Sequence, residues 1–277
     1  MTNWLITGVG SGLGKALAAA ALARGDRVAG TARRAEDVEA FSASADGAAL
    51  GYQLDLGDVS LLGDVVEAAD LALGGIDVLV NNAGYGLVGA VEEASLAEIR
   101  EQFEVNVFAP IALIQAVLPF MRARRAGRII NITSVSGVAA WAGTGIYCGS
   151  KYALEGVTQT LAQEVAELGI RVTNVEPGGM RTDYAGRSLR QTQAVIDDYD
   201  GAARDARRIL AAHGGHEPGD PARIAAAILK VADAENPPLQ LLLGADAMLY
   251  ATRDRARFEA EMGQWATLTL STGFPEG

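Results

Sequence analysis

Residues 3–14 read NWLITGVGSGLG, and an Ala/Leu-rich run follows to Arg24. An apolar run, a glycine-rich turn and a helix-forming run in that order make a phosphate cradle. Backbone N–H groups and the helix N-terminus face the anion, and the glycines let it approach. The familiar G-x-G-x-x-G spacing, started from Gly8, would need glycine at position 13, where Leu13 stands. The spacing present is G-x-x-x-G-x-G, carried by Gly8, Gly12 and Gly14 with Ser11 and Leu13 between them. A plain glycine-rich turn is the rival reading. The position at a first strand–helix junction favours nucleotide binding.

Outward from this stretch the chain alternates. Apolar runs predict strands at 27–31, 48–54, 76–80, 128–134, 170–175 and 239–243, and the segments between them read as helices, notably 96–124, 147–167 and 221–234. Strands alternating with helices mean right-handed crossovers and a parallel sheet, an α/β fold. No Pro- or Ser-rich linker and no repeat divides the chain, so one domain is expected over residues 1–277. Residues 180–217 are long, polar and charged, and are expected to form a partly helical insert at the crevice side, as a lid or substrate wall would. A tail helix is expected from about 245 to 265, packing on the core or on a partner subunit.

Composition narrows the function classes. The formal net charge is −11, which argues against binding the phosphate backbone of nucleic acids or an anionic membrane surface. Glycine is 33 of 277 residues, well above the usual ~7 %, as expected where backbone approaches a ligand. No apolar run is read as a membrane span of about 20 residues, and no signal peptide is read before the first strand. The single cysteine, Cys148, allows no intramolecular disulfide and fits a reducing compartment; it reads as a small packed hydrophobe. The expected location is cytoplasmic. His213 and His216, in HGGH, lack further ligands nearby and make a poor metal site, so none is expected.

Several residues carry candidate chemistry. The second strand ends in TARR, and no acid stands where one would bind the ribose 2′-hydroxyl of NAD; Arg33, supported by Arg34, is placed to meet a 2′-phosphate, favouring NADP(H). Asp55, before Leu56, closes the third strand and either accepts from an adenine amino group or caps the helix beginning near Asp58. Asn106 sits inside a helical stretch, where Asn is a poor resident, suggesting a polar role or else a harmless surface position. Ser134 ends the fifth strand, at the edge where such sheets put their ligand crevice. Tyr147 and Lys151 stand four residues apart, on one face of a helix beginning near Ile146. An ammonium beside a phenol favours phenolate, and a phenol so tuned can move a proton near neutral pH.

With these residues laid out, the chain resembles the short-chain dehydrogenase/reductase family, in its single-domain branch. The likeness runs from Asn3 to about Gly244. TGVGSGLG matches the family's T-G-x-x-x-G-x-G loop, NNAG at 81–84 its sheet-supporting motif, and YCGSK at 147–151 its Y-x-x-x-K. Ser134, thirteen residues before Tyr147, and Asn106, in EVNVFAP, stand at the positions of the catalytic Ser and Asn. The resemblance implies a Rossmann-type doubly wound sheet of order 3-2-1-4-5-6-7 with helices on both faces. It implies Asn106, Ser134, Tyr147 and Lys151 as catalytic residues. As cofactor contacts it implies Gly8, Ser11, Gly12, Leu13, Gly14, Arg33, Arg34, Asp55, Leu56, Asn82, Ala83, Gly84, Tyr147, Lys151, Pro177, Gly178 and Thr182. The activity implied is reversible reduction of a ketone or aldehyde to an alcohol with NADP(H), or less favourably NAD(H), in a homodimer or homotetramer. A non-catalytic NADP-binding regulator is the rival from another class, and it would be marked by loss of Tyr147, Lys151 or Ser134. The substrate wall is expected from residues 85–91, 139–144 and 180–217, where Tyr85, Trp141 and Tyr184 suggest an apolar or ring-shaped substrate.

Overall fold

A computed structural model describes residues 1–182, 188–201 and 203–274. Its centre is a seven-stranded parallel sheet. In chain order the described strands are β1 (Asn3–Thr7), β2 (Arg27–Ala32), β3 (Ala49–Gln53), β4 (Val78–Asn81), β5 (Gly86–Val88), β6 (Gly127–Ile132), β7 (Ile170–Pro177), β8 (Leu189–Gln191) and β9 (Gln240–Leu243). The main sheet runs β3-β2-β1-β4-β6-β7-β9. Counting only its own strands, that is the expected order 3-2-1-4-5-6-7. The short β5 and β8 pair with each other in a second, parallel ladder, which sequence patterning does not reveal.

The helices fall on both faces. They are α1 (Gly12–Ala23), α2 (Ala35–Ser42), α3 (Leu62–Leu73), α4 (Leu96–Phe103), α5 (Ala109–Arg124), α6 (Gly145–Glu164), α7 (Ala203–His213), α8 (Pro221–Asp233), α9 (Ala245–Gln264) and α10 (Ala266–Leu270). Strand β1 shows why its run is apolar without alternation: Trp4, Leu5 and Ile6 are all buried. Leu5 packs with Leu62, Val66, Leu113 and Val117 of α3 and α5. Trp4 and Ile6 pack on the other side with Leu13 and Leu17 of α1 and with Ile224 and Ile228 of α8. Fully burying each such side chain contributes about 1.5–3 kcal/mol, so the two layers supply the main driving force for folding.

The structure corrects several expected boundaries. Ile76 and Asp77 precede β4 rather than starting it, the fifth strand of the main sheet ends at Ile132 rather than Ser134, and the tail is two helices, α9 and α10. The stretch expected as one helix over 96–124 is broken by a π-helical turn, Glu104–Phe108, which carries Asn106. The reading that no run nears a membrane span also changes. Leu96–Arg124 is long and apolar enough by length and composition, although Leu113, Ile114, Val117 and Met121 on it are buried in the core.

The insert after β7 is tied back to the body. Met180 bridges Gly219, β8 pairs with β5, and the buried carboxylate of Glu93 accepts from the Ala90 and Ile196 N–H groups at 2.8 and 2.7 Å. Those backbone bonds hold the Glu93 carboxyl below its usual range.

Candidate active site

The site lies at the C-terminal ends of β1, β4, β6 and β7, where strand ends and helix starts converge. The glycine loop runs from Gly8 to Ser11. Gly8 and Gly12 hold φ of +77° and +55°, the left-handed region in which other residues are strained. Gly14 is required for another reason. A Cβ there would stand 2.3 Å from the Gly8 carbonyl oxygen and 2.4 Å from Asn82 Nδ2. The start of α1 is thereby pressed onto the loop. Ser11 occupies the N-cap position with no side-chain bond to the first turn, so the turn's N–H groups and positive dipole end face an incoming anion. The Leu13 side chain is turned into the core.

The segment after β4 is stapled to this loop. Asn82 Nδ2 donates to the Thr7 carbonyl at 2.8 Å, and the backbone N–H groups of Asn82 and Ala83 both donate to Thr7 Oγ1 at 3.0 Å. Gly84 then passes close to two candidate catalytic side chains: a Cβ there would lie 2.9 Å from Asn106 Oδ1 and 3.7 Å from Lys151 Nζ. Asn106 is buried. Its Nδ2 donates to the Tyr85 carbonyl (2.9 Å) and Ser150 Oγ (3.1 Å), and its Oδ1 accepts from the Tyr85 N–H at 3.2 Å. The π-helical turn re-aims this one side chain toward the loop, which a regular helix would not do.

Helix α6 begins at Gly145, one residue before the expected start, and places Tyr147 and Lys151 one turn apart. Lys151 Nζ sits 5.8 Å from the centre of the Tyr147 ring and donates to the Ile132 carbonyl at 3.0 Å. Burial pulls the Lys151 ammonium down to about 8, with the negative charge of Glu155 opposing the fall. Ser134 follows β6 and caps a short 3₁₀ turn, its Oγ accepting from the Ser136 N–H at 3.0 Å. Cys148 is buried beside Thr144 Oγ1, as a packed small side chain.

Strand β7 ends at Pro177. Gly178 and Gly179 follow against Asp246, whose Oδ2 accepts from the Gly179 N–H at 2.7 Å. A Cβ on Gly178 would meet that carboxylate at 2.3 Å, so only glycine fits. Sequence reasoning missed Asp246; the signal for it is an acid in the first turn of a helix. Thr182 reaches across the cleft to Gly12, 3.7 Å from where its Cβ would be. The first and last loops of the site therefore meet.

At the outer end the picture is divided. Arg34 is engaged by Asp37, with two bonds at 2.7 Å, and by Glu36 at 3.0 Å, which raises its guanidinium above the usual value. Asp37 lies against the glycine loop, its carboxyl carbon 2.9 Å from a Cβ placed on Gly10. Arg33 is exposed beyond the end of β2. Asp55 does not cap the following helix. Its Oδ1 accepts from the Gly57 N–H, and Asp58 is the residue that caps, accepting from Ser60. The Leu56 side chain packs in the core, leaving its backbone to the site.

The three segments expected to wall the substrate do come together. The Gly86 and Thr192 N–H groups bond Ser188 and Val88, the Gly89 N–H bonds the Gly143 carbonyl, and Gly143 lies against Ala203. Trp141 meets Tyr250 of α9 edge to face, centres 5.2 Å apart, and the Arg190 guanidinium lies 4.5 Å over the Tyr85 ring. Burial and Glu101 push the Tyr85 phenol up to about 12, so it stays protonated. Tyr184 lies outside the described residues, as does the side chain of His213. His216 is exposed, and among the described residues no cluster of three metal-ligating side chains occurs.

Residues 2–193 match the short chain dehydrogenase family model. A 3-ketodihydrosphingosine reductase of Bacteroides thetaiotaomicron is 32% identical over 267 residues, covering 95% of this chain and 95% of that one. A short-chain dehydrogenase from Streptomyces avermitilis is 39% identical, with a TM-score of 0.92 over 99% of this chain and 100% of the other. A metagenomic short-chain oxidoreductase solved in complex with NADP is 27% identical, with a TM-score of 0.68 over 87% and 96%. The chain belongs to the short-chain dehydrogenase/reductase family and is an oxidoreductase of it.

Proposed function

We propose that the chain interconverts a carbonyl compound and its alcohol by hydride transfer with NADP(H), using Tyr147 as the acid/base. The observation that carries this reading is the buried Lys151 ammonium beneath the Tyr147 ring at the mouth of the sheet. The glycine loop, the open first turn of α1 and the Gly8–Asn82–Gly14 packing fit a dinucleotide's pyrophosphate. When bound, the nicotinamide supplies or accepts the hydride. Tyr147 gives its proton to the carbonyl oxygen in reduction and takes it back in oxidation, and Lys151 lowers the cost of the phenolate. Ser134 Oγ is free to rotate its own proton toward the substrate oxygen as charge grows there. Asn106 holds the Tyr85 backbone beside Lys151, with its Oδ1 lying at Gly84.

Arg33 supports NADP(H). The competing NAD(H) reading is favoured by one observation, that Arg34 is already held by Asp37 and Glu36. The substrate is taken to be a small molecule, and a homo-oligomer in the cytoplasm remains the proposed setting. Exposed Leu96, Tyr152 and Val157 on α4 and α6 support association through those helices. The test is NADPH-linked turnover across a panel of ketones, expected to fall by about 10²–10⁴-fold in Tyr147→Phe. Undiminished turnover in the variant would remove Tyr147 from the chemistry.

A further inference from the structure

Behind the Tyr147–Lys151 pair lies a second cluster that this chemistry does not use. Glu155 continues the same face of α6, one turn beyond Lys151, and is buried, as is Glu176 on β7. A single amide, Gln240 Nε2, donates to both carboxyl groups and holds them side by side. Among the described residues the side chains that donate to these carboxylates are amides. Asn174 Nδ2 donates to Glu155 Oε2 at 2.6 Å, with Gln159 and Gln240 at 3.4 and 3.3 Å, and Gln240 also donates to Glu176 Oε1 at 2.9 Å. The turn after Ser134 closes the remaining side: a Cβ on Gly137 would lie 2.9 Å from Glu155 Cγ. Among the described residues, the ionisable groups found to interact with Glu155 are Lys151 on its own helix and Glu176 on β7.

Two ionised carboxylates cannot rest against each other out of water at neutral pH, since like charge and desolvation both favour holding a proton. The orphaned atoms agree. Glu155 Oε1 is buried and has no donor among the described residues while both acids are ionised. A proton held between the two groups supplies one. The pair then keeps one negative charge, with Lys151 the one cation facing it among the described residues.

We propose that Glu155 and Glu176 share one proton, and that the remaining negative charge makes Glu155 a positioning residue which keeps Lys151 an ammonium beneath Tyr147. Burial alone works against that ammonium, and Glu155 opposes the loss. The proposal rests on Tyr147 being the acid/base, but its test needs neither substrate nor cofactor.

The measurement is the pH titration of the near-ultraviolet tyrosinate band of the full chain, with the Tyr147→Phe titration subtracted. Without Glu155, Lys151 loses its proton at lower pH, and Tyr147 then ionises without its cationic neighbour. In Glu155→Gln the Tyr147 midpoint is expected to rise by about one pH unit or more. In Glu155→Asp, which withdraws the charge by one methylene, it rises by less. Direct through-space repulsion alone predicts the opposite, a lower midpoint on removing a negative charge, and a purely structural role predicts no change. Either result overturns the proposal. If Glu155→Gln does not fold, the rise in Glu155→Asp decides it. Infrared spectra check the shared proton independently. The wild type near pH 6 should show the carbonyl stretch of a protonated carboxylic acid that Glu176→Gln lacks, and its absence from the wild type also overturns the proposal. Turnover by Tyr147→Phe, by contrast, would refute the functional reading and leave these titrations standing.

Discussion

At the scale of single residues, charge placement decides what the site can do. Lys151 lies under the Tyr147 ring, and burial brings its ammonium down to about 8. In the proposed mechanism, reduction needs the phenol proton and the cation together. Its rate is therefore expected to fall as pH rises past about 8, a decline read from the pH profile of NADPH-linked reduction. On the proposed NADP(H) reading, cofactor choice turns on Arg33, because Arg34 is spoken for by two acids. Arg33→Ala is expected to weaken NADPH binding at least about 10-fold while sparing NADH, as loss of a charge-assisted contact to a 2′-phosphate requires. Equal affinities, unmoved by the substitution, would shift the reading to NAD(H).

Among the elements, the strand–turn–helix unit that opens the chain is held by contact as much as by propensity. Gly14 lets α1 start against the Gly8 carbonyl, and Asn82 closes the same corner from β4. Gly14→Ala must push the helix start away from the loop. The expected outcome is a stability loss of about 1–3 kcal/mol in urea unfolding, with dinucleotide binding abolished. A variant that binds normally would show that the loop tolerates the added methyl. The π-helical turn between α4 and α5 also shapes the site. It turns Asn106 onto the Tyr85 backbone and so fixes the loop beside Lys151.

For the whole molecule, the buried acid of β7 links folding to pH. Burial, with Glu155 beside it, raises the Glu176 carboxyl from 4.5 to about 7. The folded state therefore holds its proton more tightly than the unfolded chain does. Stability from this group is intact below about pH 4.5 and is lost as pH rises through about 7. The loss is bounded at about 3 kcal/mol for a shift of that size. Glu176→Gln should flatten the curve across this window, measured as urea unfolding midpoints at pH 5 and pH 8. A wild type equally stable at both would contradict the link.

The local grammar of the chain determined the strand–helix alternation, the phosphate loop and the Tyr147–Lys151 pair. Each depends on residues near one another in sequence: glycine spacing, unbroken apolar runs, an i, i+4 step. Ser134 and Asn106 were singled out as catalytic only through the resemblance that their motifs carry. What joins distant segments was decided only by the tertiary structure. The β5–β8 ladder is three residues deep, too short to leave a period, and forms because the insert returns to Gly86–Val88. Asp246 matters because α9 begins where Gly178 and Gly179 emerge. Asp58, not Asp55, caps the helix after β3, a choice of local geometry between two equally suitable acids. Glu155 and Glu176 read as ordinary acids until the chain packs a helix on a strand. Burial then converts two solvated charges into one shared proton, because desolvation is a property of the folded surroundings and no single segment carries it.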